Sequence, residues 1–260
     1  MMPRRRIRLA LLLAFPLVVL AIFAFAMLGG GGGQAEQPAK PVASGPIGLF
    51  TSLPILWRET PDISDMLHSA APPHWALDVL AARGELQPLD TLSPEGGSLP
   101  LATDVLLVIA QPRPLSPQEN VALDDWVRAG GRVLLFADPM LTAHSAFAPG
   151  DNRRPQDIVL LSPILSRWGL TLQFDDTQLS GERDVELLGK AVPVNLPGSF
   201  SLADGAGNCG IESGGLVARC SVGAGRVVAV ADAAMLEEVA DGDLIQRETA
   251  LAALLSLLGE

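Results

Sequence analysis

The sequence predicts an α/β fold with a mostly parallel sheet, and three adjoining segments predict it. From Asp104 to Ala110 runs Val105, Leu106, Leu107, Val108, Ile109 and Ala110 without a break. A continuous apolar run is the pattern of a strand buried on both faces. Ser116 then stands as an N-cap, Pro117 at the first helical position and Glu119 three residues after the cap, the arrangement of a capping box. Val121, Leu123, Trp126 and Val127 supply the apolar stripe of the helix that follows, and Gly130 and Gly131 end it. Arg132 to Ala137 is a second buried strand. Strand, capped helix and strand within about 35 residues make a βαβ unit, whose crossover is right-handed.

The other elements fit around this unit. Pro46 to Phe50 is a short apolar strand, and Thr51 to Pro54 a loop. Trp75, Val79 and Ala82 share one side of a helix that Gly84 closes, and Glu85 to Leu89 is a further strand. Thr142 to Gln156 is polar and reads as a surface loop. Leu160 to Trp168 has helical spacing, and Leu170 to Phe174 reads as a strand. From about 184 to 222 the pattern turns to short segments with glycine turns, which predicts an antiparallel β insertion. Gly225 to Ala231 is another buried strand, ending at Asp232, and Arg247 to Leu258 is a closing helix.

The N-terminus is of a different kind. Arg4, Arg5, Arg6 and Arg8 precede an uncharged stretch from Leu9 to Leu28. Twenty helical residues span roughly 30 Å, the thickness of a bilayer's hydrocarbon core. Leading arginines predict a cytoplasmic N-terminus and an exported body. The stretch is longer than the core of a usual signal peptide, so residues 1–28 are read as an uncleaved single-pass anchor. The alternative is a signal peptide cleaved after Ala26, since Ala24, Phe25 and Ala26 fit the small-x-small rule. Residues 29–44, opening with five glycines, read as a flexible linker, and residues 45–260 as the folded domain. The expected location is a bacterial inner membrane with the domain in the periplasm.

Export permits a disulfide, and Cys209 and Cys220 are the two cysteines. If Gly214 and Gly215 form a two-residue hairpin turn, Glu212 faces Val217 and Cys209 faces Cys220. That register makes the cysteines a hydrogen-bonded pair, with its wider Cα separation. The expected pairing is a structural disulfide, with two free thiols as the alternative.

The chain carries a formal net charge of −11, and its four leading arginines leave the body more acidic still. Such a body repels phosphate backbones, which argues against a nucleic-acid partner. No nucleotide-loop, serine-elbow or zinc-protease pattern occurs, and the spacing of the acids selects no metal, so no cofactor is expected. What remains is the rule that open α/β sheets bind ligands beyond the carboxyl ends of their strands. That edge would present Thr51, Ser52, Gln111, Asp138 and Asp232 as candidate ligand- or partner-binding residues. Each can also be an ordinary turn or helix cap.

Several pieces in one order carry a family resemblance. They are Gly48 to Pro54, Ala102 to Pro112, Leu115 to Glu119, Ala122 to Gly131, Val133 to Pro139, Ser162 to Leu170 and Gly223 to Asp232. In that order they resemble the GldG-like auxiliary component of gliding-motility-type ABC transporters, a group similar in fold to class I glutamine amidotransferases. The resemblance implies a Rossmann-like, flavodoxin-type sheet, a membrane anchor, and association with an ABC permease and ATPase. It implies no enzymatic activity. Amidotransferase-like enzymes need a cysteine at a strand-to-helix turn and an activating histidine. Neither cysteine lies at such a turn, and none of His68, His74 and His144 has a glutamate two residues on. The expected function is therefore that of a non-catalytic accessory or binding subunit of an ABC transport system. The competing expectations are a periplasmic binding module for a small molecule or envelope fragment, and a carboxylate-dependent hydrolase.

Overall fold

The computed structural model describes residues 45–59, 73–203, 208–238 and 244–259. The proposed anchor and linker and His68 lie outside them. Among the described residues no helix is long and apolar enough to cross a membrane.

Seven strands form the central sheet. β1 is Ile47–Thr51, β2 Leu86–Pro88, β3 Leu106–Ala110, β4 Arg132–Phe136, β9 Asn208–Glu212, β10 Val217–Val222 and β11 Gly225–Val230. Their order is β2-β1-β3-β4-β11-β10-β9. The first five are parallel, while β10 and β9 continue antiparallel. The parallel part has the flavodoxin-type order, which places the point where the winding reverses between β1 and β3.

The apolar runs are continuous because alternate residues face opposite layers. Leu49, Val108, Leu134 and Val228 stand in one cross-strand row, and Phe50, Ile109, Leu135 and Ala229 in the next. The first row packs toward helices α1 (Trp75–Ala81) and α4 (Leu244–Ser256) and the β6–β7 hairpin (Arg183–Leu187 and Lys190–Val194). The second packs toward α2 (Pro117–Arg128), α3 (Ser162–Arg167) and a small sheet of β5 (Leu170–Gln173) with β8 (Ser199–Leu202).

The capping box on α2 forms as expected: the Ser116 side chain accepts from the Glu119 N–H, and Glu119 reaches back to the Ser116 N–H. Three details depart from expectation. Val121 is exposed, because it lies two positions before Leu123 and so about 200° around the helix from it. α3 starts at Ser162 rather than Leu160, with Pro163 in its first turn. The 184–222 region is not one insertion. β6 and β7 pair with each other, β8 pairs with β5, and β9 and β10 extend the central sheet.

Cys209 and Cys220 are disulfide-bonded and directly opposed, as the hairpin register predicts. Their Cα atoms are 4.0 Å apart, however, the spacing of a non-hydrogen-bonded pair. The turn is the reason. Glu212 and Val217 close the ladder around a loop of Ser213 to Leu216, in which Ser213, Gly214 and Gly215 all have positive φ. This loop inverts the parity that a two-residue turn would set.

One close approach depends on glycine. A Cβ at Gly225 would lie 2.0 Å from the Val127 carbonyl and 2.4 Å from that of Gly131. We expect Gly225→Ala to force β11 away from the end of α2, lowering stability by on the order of 3 kcal/mol. Urea denaturation measures it, and a loss below about 1 kcal/mol would show that the junction yields.

Candidate functional site

The structure brings Thr51, Ser52, Gln111, Asp138 and Asp232 to the carboxyl edge of the sheet, as the strand ends require. It also shows what their polar atoms do. The Thr51 hydroxyl donates to the Ala110 carbonyl at 2.8 Å and accepts from the Leu53 N–H at 2.9 Å. Ser52 donates to the Gln111 carbonyl and accepts from the Gln156 N–H. Gln111 sits at φ 42°, a left-handed conformation for a bulky residue. Its amide holds it there, donating to the carbonyls of Asp138 (3.0 Å) and Gln156 (2.7 Å) and accepting from the Asp138 N–H (2.9 Å).

The two aspartates latch the neighbouring loops. Asp138 accepts from the N–H groups of Met140 (2.8 Å) and Ala233 (3.0 Å). Asp232 accepts from those of Asn195 (3.0 Å) and Ala234 (2.7 Å). Both are buried. Burial, only partly offset by these N–H groups, pushes Asp138 up to about 6. Burial and then the adjacent Asp138 charge push Asp232 up to about 8. Gln111, Asp138 and Asp232 thus fasten the edge and face backbone groups.

Two crevices open beside this fastened edge, both walled in part by the loop after β1 and the loop before α3. One, of about 380 Å³, is lined by Glu59, His74, His144, Glu237 and Glu238, with Arg58. His74 is buried. It caps α1, accepting from the Ala76 N–H through Nδ1 and donating through Nε2 to the Leu236 carbonyl, at 3.2 and 3.0 Å. Burial lowers its pKa, consistent with the neutral ring. The second crevice, of about 470 Å³, lies over the ends of β1 and β2 and takes in Thr51 and Ser52. Its walls carry Trp57, Asp90, Arg113, Arg153 and Arg154. Among the described residues no group of three or more histidine, cysteine or acidic side chains is placed to hold a metal ion.

Sequence reasoning missed the arginines. Arg113 is three residues beyond the β3 end, and the 142–156 loop carrying Arg153 and Arg154 has no periodicity to place it. The fixing of Arg113 does have a local signal in Glu119. That buried carboxylate accepts from Arg113 Nη1 and Nη2 (2.9 and 2.8 Å), Thr91 Oγ1 (2.9 Å) and the N–H groups of Leu92 and Ser116. The Arg113 hydrogen bonds chiefly, against the effect of burial, hold it well below the usual carboxylate range.

Among curated proteins, none matches the chain by sequence. Solved structures overlap it at low similarity. They include the exo-β-1,4-mannosidase Op5Man5 from Opitutaceae bacterium strain TAV5, with 15% identity, a TM-score of 0.48, and 82% of this chain and 35% of that one covered. A β-galactosidase from Bacillus circulans sp. alkalophilus gives 10%, 0.42, 84% and 31%. A cytoplasmic protein from Salmonella typhimurium gives 9%, 0.44, 82% and 98%. The chain thus spans about a third of the two glycosidases. Overlaps this weak carry no inference about chemistry. The family described as an ABC-type uncharacterized transport system matches residues 73–182. That match runs from the start of α1 past β5 and is a similarity over less than half of the chain.

Proposed function

We propose that the chain is a membrane-anchored, non-catalytic subunit of an ABC transport system, GldG-like in type, whose α/β domain lies in the periplasm and binds a partner or ligand. The observation that carries this reading is the family match over residues 73–182. Two others support it. The arginine-led apolar stretch from Leu9 to Leu28 has the length and charge order of an inside-anchored span. At the carboxyl edge, the polar atoms of Gln111, Asp138 and Asp232 are engaged with neighbouring backbone. An edge of that kind is a rigid platform for loops, and loops on a rigid scaffold are where binding residues concentrate.

The test is copurification of the tagged full chain from membranes in a gentle detergent. The expected result is recovery of an ABC ATPase and a permease, with the chain retained in the membrane pellet after an alkaline wash. Recovery of the chain alone, or in the soluble cytosolic fraction, would overturn the reading.

A further inference from the structure

We infer that the crevice over the ends of β1 and β2 is a binding site for a small molecule carrying a carboxylate or phosphate beside a planar or ring-shaped face. This goes beyond the transporter reading and does not depend on it.

Position is the first argument. The β1 connection leads to α1 on one face of the sheet, and the β3 connection to α2 on the other. Loops that part in this way open a crevice at the reversal point of the winding, where open α/β sheets take ligands. A crevice stands beside that point, over the ends of β1 and β2 with Arg113 of the β3 connection on its wall, and its volume of about 470 Å³ falls in the range of small-molecule sites.

Its chemistry is the second. The chain is strongly acidic, yet this crevice gathers three guanidinium groups, of Arg113, Arg153 and Arg154, against one lining carboxylate, Asp90. The neighbouring crevice has the reverse character, with Glu59, Glu237 and Glu238 in its wall. The arginines are mounted in two ways. Arg113 is fixed, paired with Glu119, donating to the Asp90 carbonyl at 2.8 Å and lying over the Phe50 ring at 5.1 Å. Arg153 and Arg154 pair at the surface with Asp151 and Asp157. Asp157 is half exposed and makes its bonds to Arg154 through one oxygen, so a ligand oxyanion can replace it at little cost, whereas Asp151 grips Arg153 through both oxygens. Arg113 provides a preset anchor. Planar guanidinium groups match carboxylate and phosphate through paired N–H bonds.

Trp57 is the third. Its indole is 57% exposed on the crevice wall. An exposed indole offers a flat apolar face with a polar edge, suited to stacking on a ring.

Trp57 also makes the site measurable. The chain has four tryptophans and no tyrosine, and Trp75, Trp126 and Trp168 are buried. Fluorescence quenching of the full chain in nonionic detergent, at constant ionic strength, should therefore report on Trp57. We expect iodide to quench at least about twofold more strongly than caesium, despite the negative net charge, because the local arginines concentrate anions. Trp57→Phe should remove that difference. Phenyl phosphate or benzoate should protect Trp57 saturably from acrylamide, and benzylamine should not. The ratio of the first two tells phosphate from carboxylate preference. The double variant Arg153→Gln/Arg154→Gln should weaken protection about tenfold with the fold unchanged by circular dichroism. Caesium quenching as well as iodide, or benzylamine protecting as well as phenyl phosphate, would overturn the assignment. Copurification with an ATPase and permease is indifferent to these outcomes, so the two readings fail separately.

Discussion

The free energy of unfolding should peak near pH 4 and fall by several kcal/mol toward pH 9. The cause is the aspartate pair at the carboxyl edge. In the folded chain Asp138 is pushed up to about 6 and Asp232 up to about 8, first by burial. In the unfolded chain both titrate near 3.9. A raised acid binds its proton more tightly when folded. Its stabilising contribution is therefore complete below about pH 4 and is lost as pH rises through the folded values, at about 1.4 kcal/mol per displaced unit. Glu237, raised by burial in the same region, adds to the same slope. Glu119 acts oppositely. Its carboxyl is held low, so its contribution is present above the ordinary glutamate value and disappears in acid. The maximum lies between the two trends. Denaturant titrations from pH 3 to 9 measure it. Asp232→Asn should be less stable at pH 5, having lost an acceptor for one of its two N–H partners, yet should show a shallower decline above pH 6. A wild-type profile flat from pH 5 to 9 would show that the pair is hydrated.

The second large effect is expected at Asp124. This fully buried carboxylate on α2 accepts from Arg128 Nε (2.9 Å), from Arg167 Nε (2.9 Å) and Nη2, and from the Trp168 indole N–H (3.2 Å). Burial works to raise it, but the Arg128 and then the Arg167 hydrogen bonds outweigh that and hold it below the usual value. It joins α2 to the end of α3. Asp124→Ala leaves the buried Trp168 N–H without an acceptor, at about 1–3 kcal/mol, and unfastens both arginines. The guanidinium groups are half exposed and can hydrate, so the loss is smaller than for a wholly buried ion pair. We expect about 3 kcal/mol, or roughly 10 °C in melting temperature. Asp124→Asn keeps an acceptor for Trp168 and should lose about half as much. Equal losses in the two variants would mean that charge alone, and not the indole bond, fastens the helices.

The legible parts of this fold were those encoded by neighbours in the chain. The strands at 106–110, 132–136 and 225–230 announce themselves by uninterrupted apolar runs, and Ser116 with Glu119 marks where α2 begins. The Cys209–Cys220 opposition followed from counting outward from two glycines. The geometry of that loop did not, because the positive φ at Ser213 is set by what the loop packs on. β5 and β8 found each other across some thirty residues with no shared pattern to reveal it. At the site, the strand-end residues were legible because topology places them together whatever their side chains do. What those side chains do was not legible, since Gln111, Asp138 and Asp232 are engaged by backbone groups from distant loops. The meeting of Arg113 with Arg153 and Arg154 depends on the path of an irregular loop, which leaves no periodic trace.

The bond between Cys209 and Cys220 also bears on the sheet's boundary. β9 is the outermost strand, so one side of its backbone has no ladder partner in the central sheet. A strand in that position can peel away and recruit another chain along its unpaired N–H and C=O groups. The covalent tie holds it to β10. Reduction would leave five residues retained by noncovalent contacts alone, at the place where chains of this architecture most readily begin to stick to one another.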